Sequence, residues 1–132
     1  MYCCRALLFI AALAAGTSAA WADEVVKSKR DDSASEKLGL KLSLQCWTYN
    51  RLTFFETVDR AAVLGIKYLE IFPGQKLKPG SEVKIGQNMD DKTLADINKK
   101  LADAGGLKIV AYGVAGVPSE EQGARKTFEW AK

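Results

Sequence analysis

The sequence predicts an α/β fold of parallel strands, an incomplete (β/α)8 TIM barrel. Three observations carry this. From Leu40 onward, segments with strand periodicity alternate with segments of helical periodicity, three times over. The units recur at roughly 30–40 residues, the cadence of a barrel. The turn after the first strand, Trp47-Thr48-Tyr49-Asn50-Arg51, has no glycine, and no G-x-G-x-x-G or G-K-[ST] occurs, which sets aside a nucleotide-binding doubly wound sheet. Three units are too few to close a barrel. The chain reaches Lys132 inside a helical pattern with no Gly, Asn or Pro stop, so the opening third or so of a larger domain is expected.

Residues 1–22 read as a secretory signal peptide. Arg5 supplies the positive start, Ala6 to Ala15 is a short apolar run, and Ala20-Trp21-Ala22 offers small residues for cleavage before Asp23. The run falls well short of the ~20 residues a membrane span needs, so an uncleaved anchor is the weaker option. Export to a periplasmic or extracellular location follows, with no membrane association after cleavage. Residues 23–38 are polar, charged and without apolar period, a flexible linker. The barrel portion is 39–132.

Cleavage removes one basic residue, Arg5, from the 19 and leaves all 16 acidic ones, a net charge of about +2. Nothing in that balance marks a nucleic-acid partner. Cys46 alone survives cleavage, so no internal disulfide forms, and the absence of histidine removes the commonest general base and transition-metal ligand.

The first strand, 40–46, alternates apolar and polar residues. Thr53 and Glu56 form a capping box for a helix over 54–64, with Phe54, Val58, Ala61 and Ala62 on one face and Gly65 as terminator. The second strand is 66–72. Residues 73–89 make a long β-α loop with Pro-Gly breaks and the lysines Lys76, Lys78 and Lys84; it reads equally as a functional loop or a solvated excursion. Asp90 caps a helix over 91–104, whose buried stripe is Leu94, Ile97, Leu101 and Ala104 and which ends at Gly105-Gly106. The third strand, 107–114, is apolar enough for burial on both faces. Ser119 and Gln122 suggest a second capping box for a helix over 120–132, with Ala124, Thr127, Phe128 and Ala131 inward.

Active sites of such barrels lie at the C-terminal strand ends. That rule selects Gln45, Trp47 and Tyr49 after the first strand, Glu70, Phe72 and Gln75 near the second, and Tyr112 and Gly113 at the third. Trp47, Tyr49, Phe72 and Tyr112 form a candidate aromatic wall for a sugar ring, whose apolar face packs on an aromatic plane. Taken singly, each aromatic is more often barrel filling; the set at one end tilts toward a pocket. Glu70 is the one acid inside a strand, costly to bury without a partner. It reads as a substrate-side carboxylate, with a structural ion pair as the bland alternative. Three scattered lysines are more often solubility than recognition. Cys46, with no histidine to activate it, reads as a buried apolar residue rather than a nucleophile.

Ser43-Leu44-Gln45-Cys46-Trp47-Thr48, then Ala61 to Glu70 (AAVLGIKYLE), Lys108 to Val114 (KIVAYGV) and Ala124 to Lys132 (ARKTFEWAK) resemble the opening of the xylose-isomerase-like sugar phosphate isomerase/epimerase family. The resemblance covers about residues 40–132, and A-x-x-L-G-I-x-Y-L-E is its strongest phrase. It implies a (β/α)8 barrel that binds a small-molecule sugar or sugar derivative and, when complete, a divalent cation (Mn²⁺, Mg²⁺ or Zn²⁺). The cation polarises sugar oxygens while carboxylates move a proton. The implied metal ligands come from the fourth strand onward, so this stretch is expected to hold no cation and to be inactive alone. It carries over only Trp47, Tyr49, Glu70, Phe72 and Tyr112, as substrate-side residues. The endonuclease branch uses histidines at the second and third strand ends, where this chain has Glu70 and Tyr112. A non-catalytic carbohydrate-binding relic is the second reading. An unpaired third strand also invites self-association.

Overall fold

The structure is a computed structural model that describes residues 29–132. The signal peptide expected over 1–22 and residues 23–28 of the expected linker lie outside the described residues. Strands β1 (Ser43–Gln45), β2 (Tyr68–Ile71) and β3 (Lys108–Tyr112) form one parallel sheet in the order β1-β2-β3. Parallel neighbours need a crossover, and here it is a helix each time. Helix α2 (Phe54–Val63) joins β1 to β2, α3 (Asp91–Asp103) joins β2 to β3, and α4 (Glu121–Ala131) follows β3. A five-residue helix, α1 (Ser33–Lys37), precedes the sheet. The chain is therefore mixed α/β with a small three-stranded parallel sheet.

The core lies between sheet and helices. Leu69 and Ile71 of β2 meet Phe54, Val58 and Ala61 of α2 and Ile97 and Leu101 of α3 in one buried cluster. Phe54, Val58 and Leu69 have no exposed surface. Burying such a side chain is worth about 1.5–3 kcal/mol, which makes β2 the anchor of the sheet.

Helix α2 starts where the sequence predicts. Thr53 Oγ1 accepts from the Glu56 N–H at 3.4 Å, and Glu56 Oε2 accepts from the Thr53 N–H at 2.8 Å. The N–H groups of Phe54 and Phe55, unsatisfied within the helix, donate to Lys76 O and Leu77 O of the long loop. Gly65, at φ +69°, ends the helix in the left-handed region. Asp90 caps α3 by accepting from the Thr93 N–H at 2.7 Å.

Five expectations are corrected. The β1 ladder begins at Ser43, and Cys46 to Tyr49 coil into a 3-10 turn because Gln45 Oε1 accepts the Trp47 N–H at 2.6 Å. Residues 33–37, read as linker, form α1, and Glu36 pairs with Lys67 at 2.7 Å. β3 is not buried on both faces: Lys108, Val110 and Ala111 are exposed. Its register slips against β2, so that Leu69 faces Ile109 but Glu70 faces Ala111, leaving Val110 as a bulge. Ser119 does not cap α4; its hydroxyl donates to Glu120 Oε1 at 3.1 Å, and the helix opens without a side-chain cap. On α4 it is Thr127 that is buried, while Phe128 is 65% exposed.

The long loop is an ordered excursion. Leu77 and Ile85 join the core, and Lys76 and Lys84 bridge antiparallel. Lys76 pairs with Glu82 at 2.9 Å and Lys78 lies 4.0 Å from Asp96, so these cations do not converge on one anion site.

Candidate functional site

The C-terminal ends of all three strands open into one cleft of about 460 Å³, lined by Gln45, Trp47, Phe72, Pro73, Gly113 and Val114. Its size lies within the usual range for small-molecule pockets, and its place is where parallel sheets present ligands.

Gln45 organises this cleft. It is the last residue of β1, in register with Glu70 of β2, which is in register with Ala111 of β3. Gln45 Nε2 donates to Glu70 Oε1 at 3.2 Å and to the Gly113 carbonyl at 2.9 Å. Its Oε1 accepts from the Trp47 backbone. One side-chain amide thus ties three strand ends together and starts the turn that carries Trp47.

Trp47 and Phe72 form the aromatic wall. Their ring centroids are 4.9 Å apart in an edge-to-face arrangement, with interplanar angle 74°. Phe72 is buried and anchors the pair, whereas Trp47 is 60% exposed and presents a free indole face. That combination of a fixed partner and an open aromatic surface suits a stacked ring.

Glu70 is half-buried and accepts from the amide of Gln45, a lining residue, without itself lining the cleft. Beside it, Cys46 is fully buried; burial, and secondarily the nearby Glu70 charge, push its thiol up to about 12. Cys46 is thus the buried apolar residue the sequence suggests, with the thiolate suppressed.

The other two aromatics face elsewhere. Tyr112 is in register with Ile71, on the helix side of the sheet, and packs edge-to-face on Trp130 of α4 at 4.5 Å. Burial there raises its phenol above the ordinary range. The bulge at Val110 causes this, because it shifts every later residue of β3 to the opposite face. Tyr49 lies in the 3-10 turn and lines a separate depression with Arg51 and Arg60. The cleft thus brings together Gln45, Trp47, Phe72 and Gly113, with Glu70 hydrogen-bonded to Gln45, and leaves out Tyr49 and Tyr112. Pro73 and Val114 are lining residues the strand-end rule did not select. The linking role of Gln45 also escaped it, because Gln45 simply continues the polar phase of Lys41 and Ser43 along the strand.

Among known proteins, a crystal structure of an uncharacterized protein from Parabacteroides distasonis ATCC 8503 is similar, with TM-score 0.62 and 29% sequence identity. The match covers 68% of this chain and 38% of that one, so this chain spans well under half the length of the structure it matches. No family model and no curated protein matches the chain.

Proposed function

We propose that this chain forms the sugar-facing wall of an exported, xylose-isomerase-like sugar isomerase or epimerase, made of the first three β-α units of a (β/α)8 barrel. The observation that carries the reading is the Gln45 linkage, which sets an open indole face and a backing phenyl ring around one cleft at the strand ends, with the Glu70 carboxylate hydrogen-bonded to the lining residue Gln45. A pyranose or open-chain sugar would lay its C–H face on Trp47. Its hydroxyls would meet the Glu70 carboxylate, an acceptor held in place by the Gln45 amide.

The divalent cation implied by the family resemblance needs more donors than this cleft offers. Glu70 is a single carboxylate already engaged by Gln45, and no group of three or more His, Cys, Asp or Glu suited to a metal occurs among the described residues. The residues at hand do not make a cation site, and no proton-transfer step is assigned to them. Their part is to bind and orient the sugar.

Calorimetric titration of the protein with aldoses and ketoses tests the proposal. Saturable binding that Trp47→Ala reduces about tenfold or more is the expected result, since a stacked ring contributes on the order of 1–2 kcal/mol. No binding of any monosaccharide or glycoside would sink it.

A further inference from the structure

The two flanks of α4 differ. On one, Lys126 Nζ donates to Asn88 Oδ1 at 3.0 Å and Thr127 Oγ1 lies 2.7 Å from Gln87 Oε1, which ties the helix to the loop before α3. Trp130 holds it to the sheet through Tyr112. Around the helix from Thr127, on the side away from Lys126, lies Phe128, 65% exposed. It sits in a shallow hollow of about 370 Å³ lined by Glu121, Ala124, Arg125, Phe128, Glu129 and Lys132. β3 is the last strand of the sheet, so its outer edge is unpaired as well.

These lining residues fall three or four apart and make one continuous stripe. Its charges alternate along the helix: Glu121, Arg125, Glu129, Lys132. Laid parallel and in register on a second copy, the stripe would set like charge on like charge. Turned end for end about a two-fold axis between Lys126 and Thr127, it sets Glu121 against Lys132 and Arg125 beside Glu129, each twice by symmetry. The same turn lays Phe128 against Ala124 and the Arg125 stem of the other copy. Arg125 spends one guanidinium nitrogen on Glu121 at 3.0 Å and has further donors, and Glu129 and Lys132 make no ion pair among the described residues.

We infer that this stripe of α4 is a self-association surface, and that its occupant is α4 of a second copy packed antiparallel. The flank is the one a further β-α unit would cover in a closed barrel, and the charge pattern gives a second copy a complementary fit there. A helix of 11 residues offers a small contact, so the pairing belongs with weak, reversible interfaces. The sugar cleft is lined by other residues at the strand ends, so the pairing stands or falls apart from the sugar reading.

Sedimentation velocity of the purified protein, from micromolar to near-millimolar concentration, tests this. The expected result is a monomer–dimer equilibrium that Phe128→Glu weakens about tenfold or more. Arg125→Glu and Glu129→Arg should each weaken it several-fold, and the two together should restore most of the affinity, because the cross-copy pair is remade with its signs exchanged. All three positions are exposed, so the urea midpoints of the variants should stay close to wild type. A monomer at every concentration would overturn the inference. So would association that survives Phe128→Glu, which would point to the free strand edges instead, or a double variant no tighter than its single parents.

Discussion

Gln45 Nε2 lies 3.2 Å from Glu70 Oε1 across the β1–β2 register, and the same nitrogen reaches the carbonyl after β3. The only in-strand acid among the described residues therefore has a neutral amide as its partner, not a cation. Its charge stays available to a ligand, while its position is held by the residue that also ties the third strand in.

Gln45→Ala should lower stability by about 1–2 kcal/mol, the low end for a broken network because water can reach these half-buried groups. Urea denaturation checks it. Gln45→Glu is the sharper variant. It sets a second carboxylate against Glu70, so its stability deficit relative to wild type should be largest at neutral pH. The deficit should shrink as pH falls and one proton comes to be shared by the pair. A deficit independent of pH would show that the two side chains do not meet.

Tyr112 belongs to the helix side, so Tyr112→Phe should leave sugar affinity unchanged within twofold or so. Trp130→Ala should cost about 2–3 kcal/mol of stability by removing a half-buried aromatic and its edge-to-face partner. A Tyr112→Phe variant that loses binding would place the ring back in the cleft.

Much of this was legible in the sequence where local signals and packing agree. Helix α2 is announced by Thr53 and Glu56 and by the spacing of Phe54, Val58 and Ala61, and each does what its type suggests. The strand-end rule named Trp47 and Phe72, which line the cleft, and Glu70, which is hydrogen-bonded to Gln45. It failed for Tyr112 because the bulge at Val110 leaves no mark in a run of apolar residues, yet reverses the facing of everything after it. It failed for Tyr49 because the Gln45 side chain captures the Trp47 N–H and coils the chain out of strand geometry. Ser119 looked like a cap by type and spacing, but its hydroxyl has a nearer partner in Glu120.

Cys46 is fully buried with its thiol raised from 9.0 to about 12. Alkylation of the Cys46 peptide by iodoacetamide at neutral pH should therefore require unfolding, with labelling that tracks the unfolded fraction. Because the folded state holds this proton more tightly, its contribution is complete below about pH 9 and declines as pH rises toward 12. Rapid labelling of Cys46 in the native protein would contradict its placement.

Thr53→Ala should cost about 1 kcal/mol through loss of the cap. Glu56 and Asp90 both have carboxyls held below their ordinary values of 4.5 and 3.8, each chiefly by hydrogen bonds to the cap or first-turn groups (Thr53 for Glu56, Thr93 for Asp90). Depressed carboxyls stabilise above their unfolded values and lose that contribution as pH falls through the folded ones. The urea midpoint should accordingly drop as pH falls below the ordinary carboxyl values, and Thr53→Ala should flatten part of that slope. A midpoint insensitive to acid would contradict both caps.

The proposed sugar site places a ring on the indole face of Trp47 at the strand ends. Indole N–H resonances in a nitrogen-15 correlation spectrum report it directly, because Trp130 lies on the helix side against Tyr112 and serves as an internal control. On titration with a glycoside, the Trp47 indole signal should shift saturably while the Trp130 signal stays fixed. A shift of Trp130 with Trp47 unmoved, or no shift of either signal at saturating sugar, would contradict the proposed site.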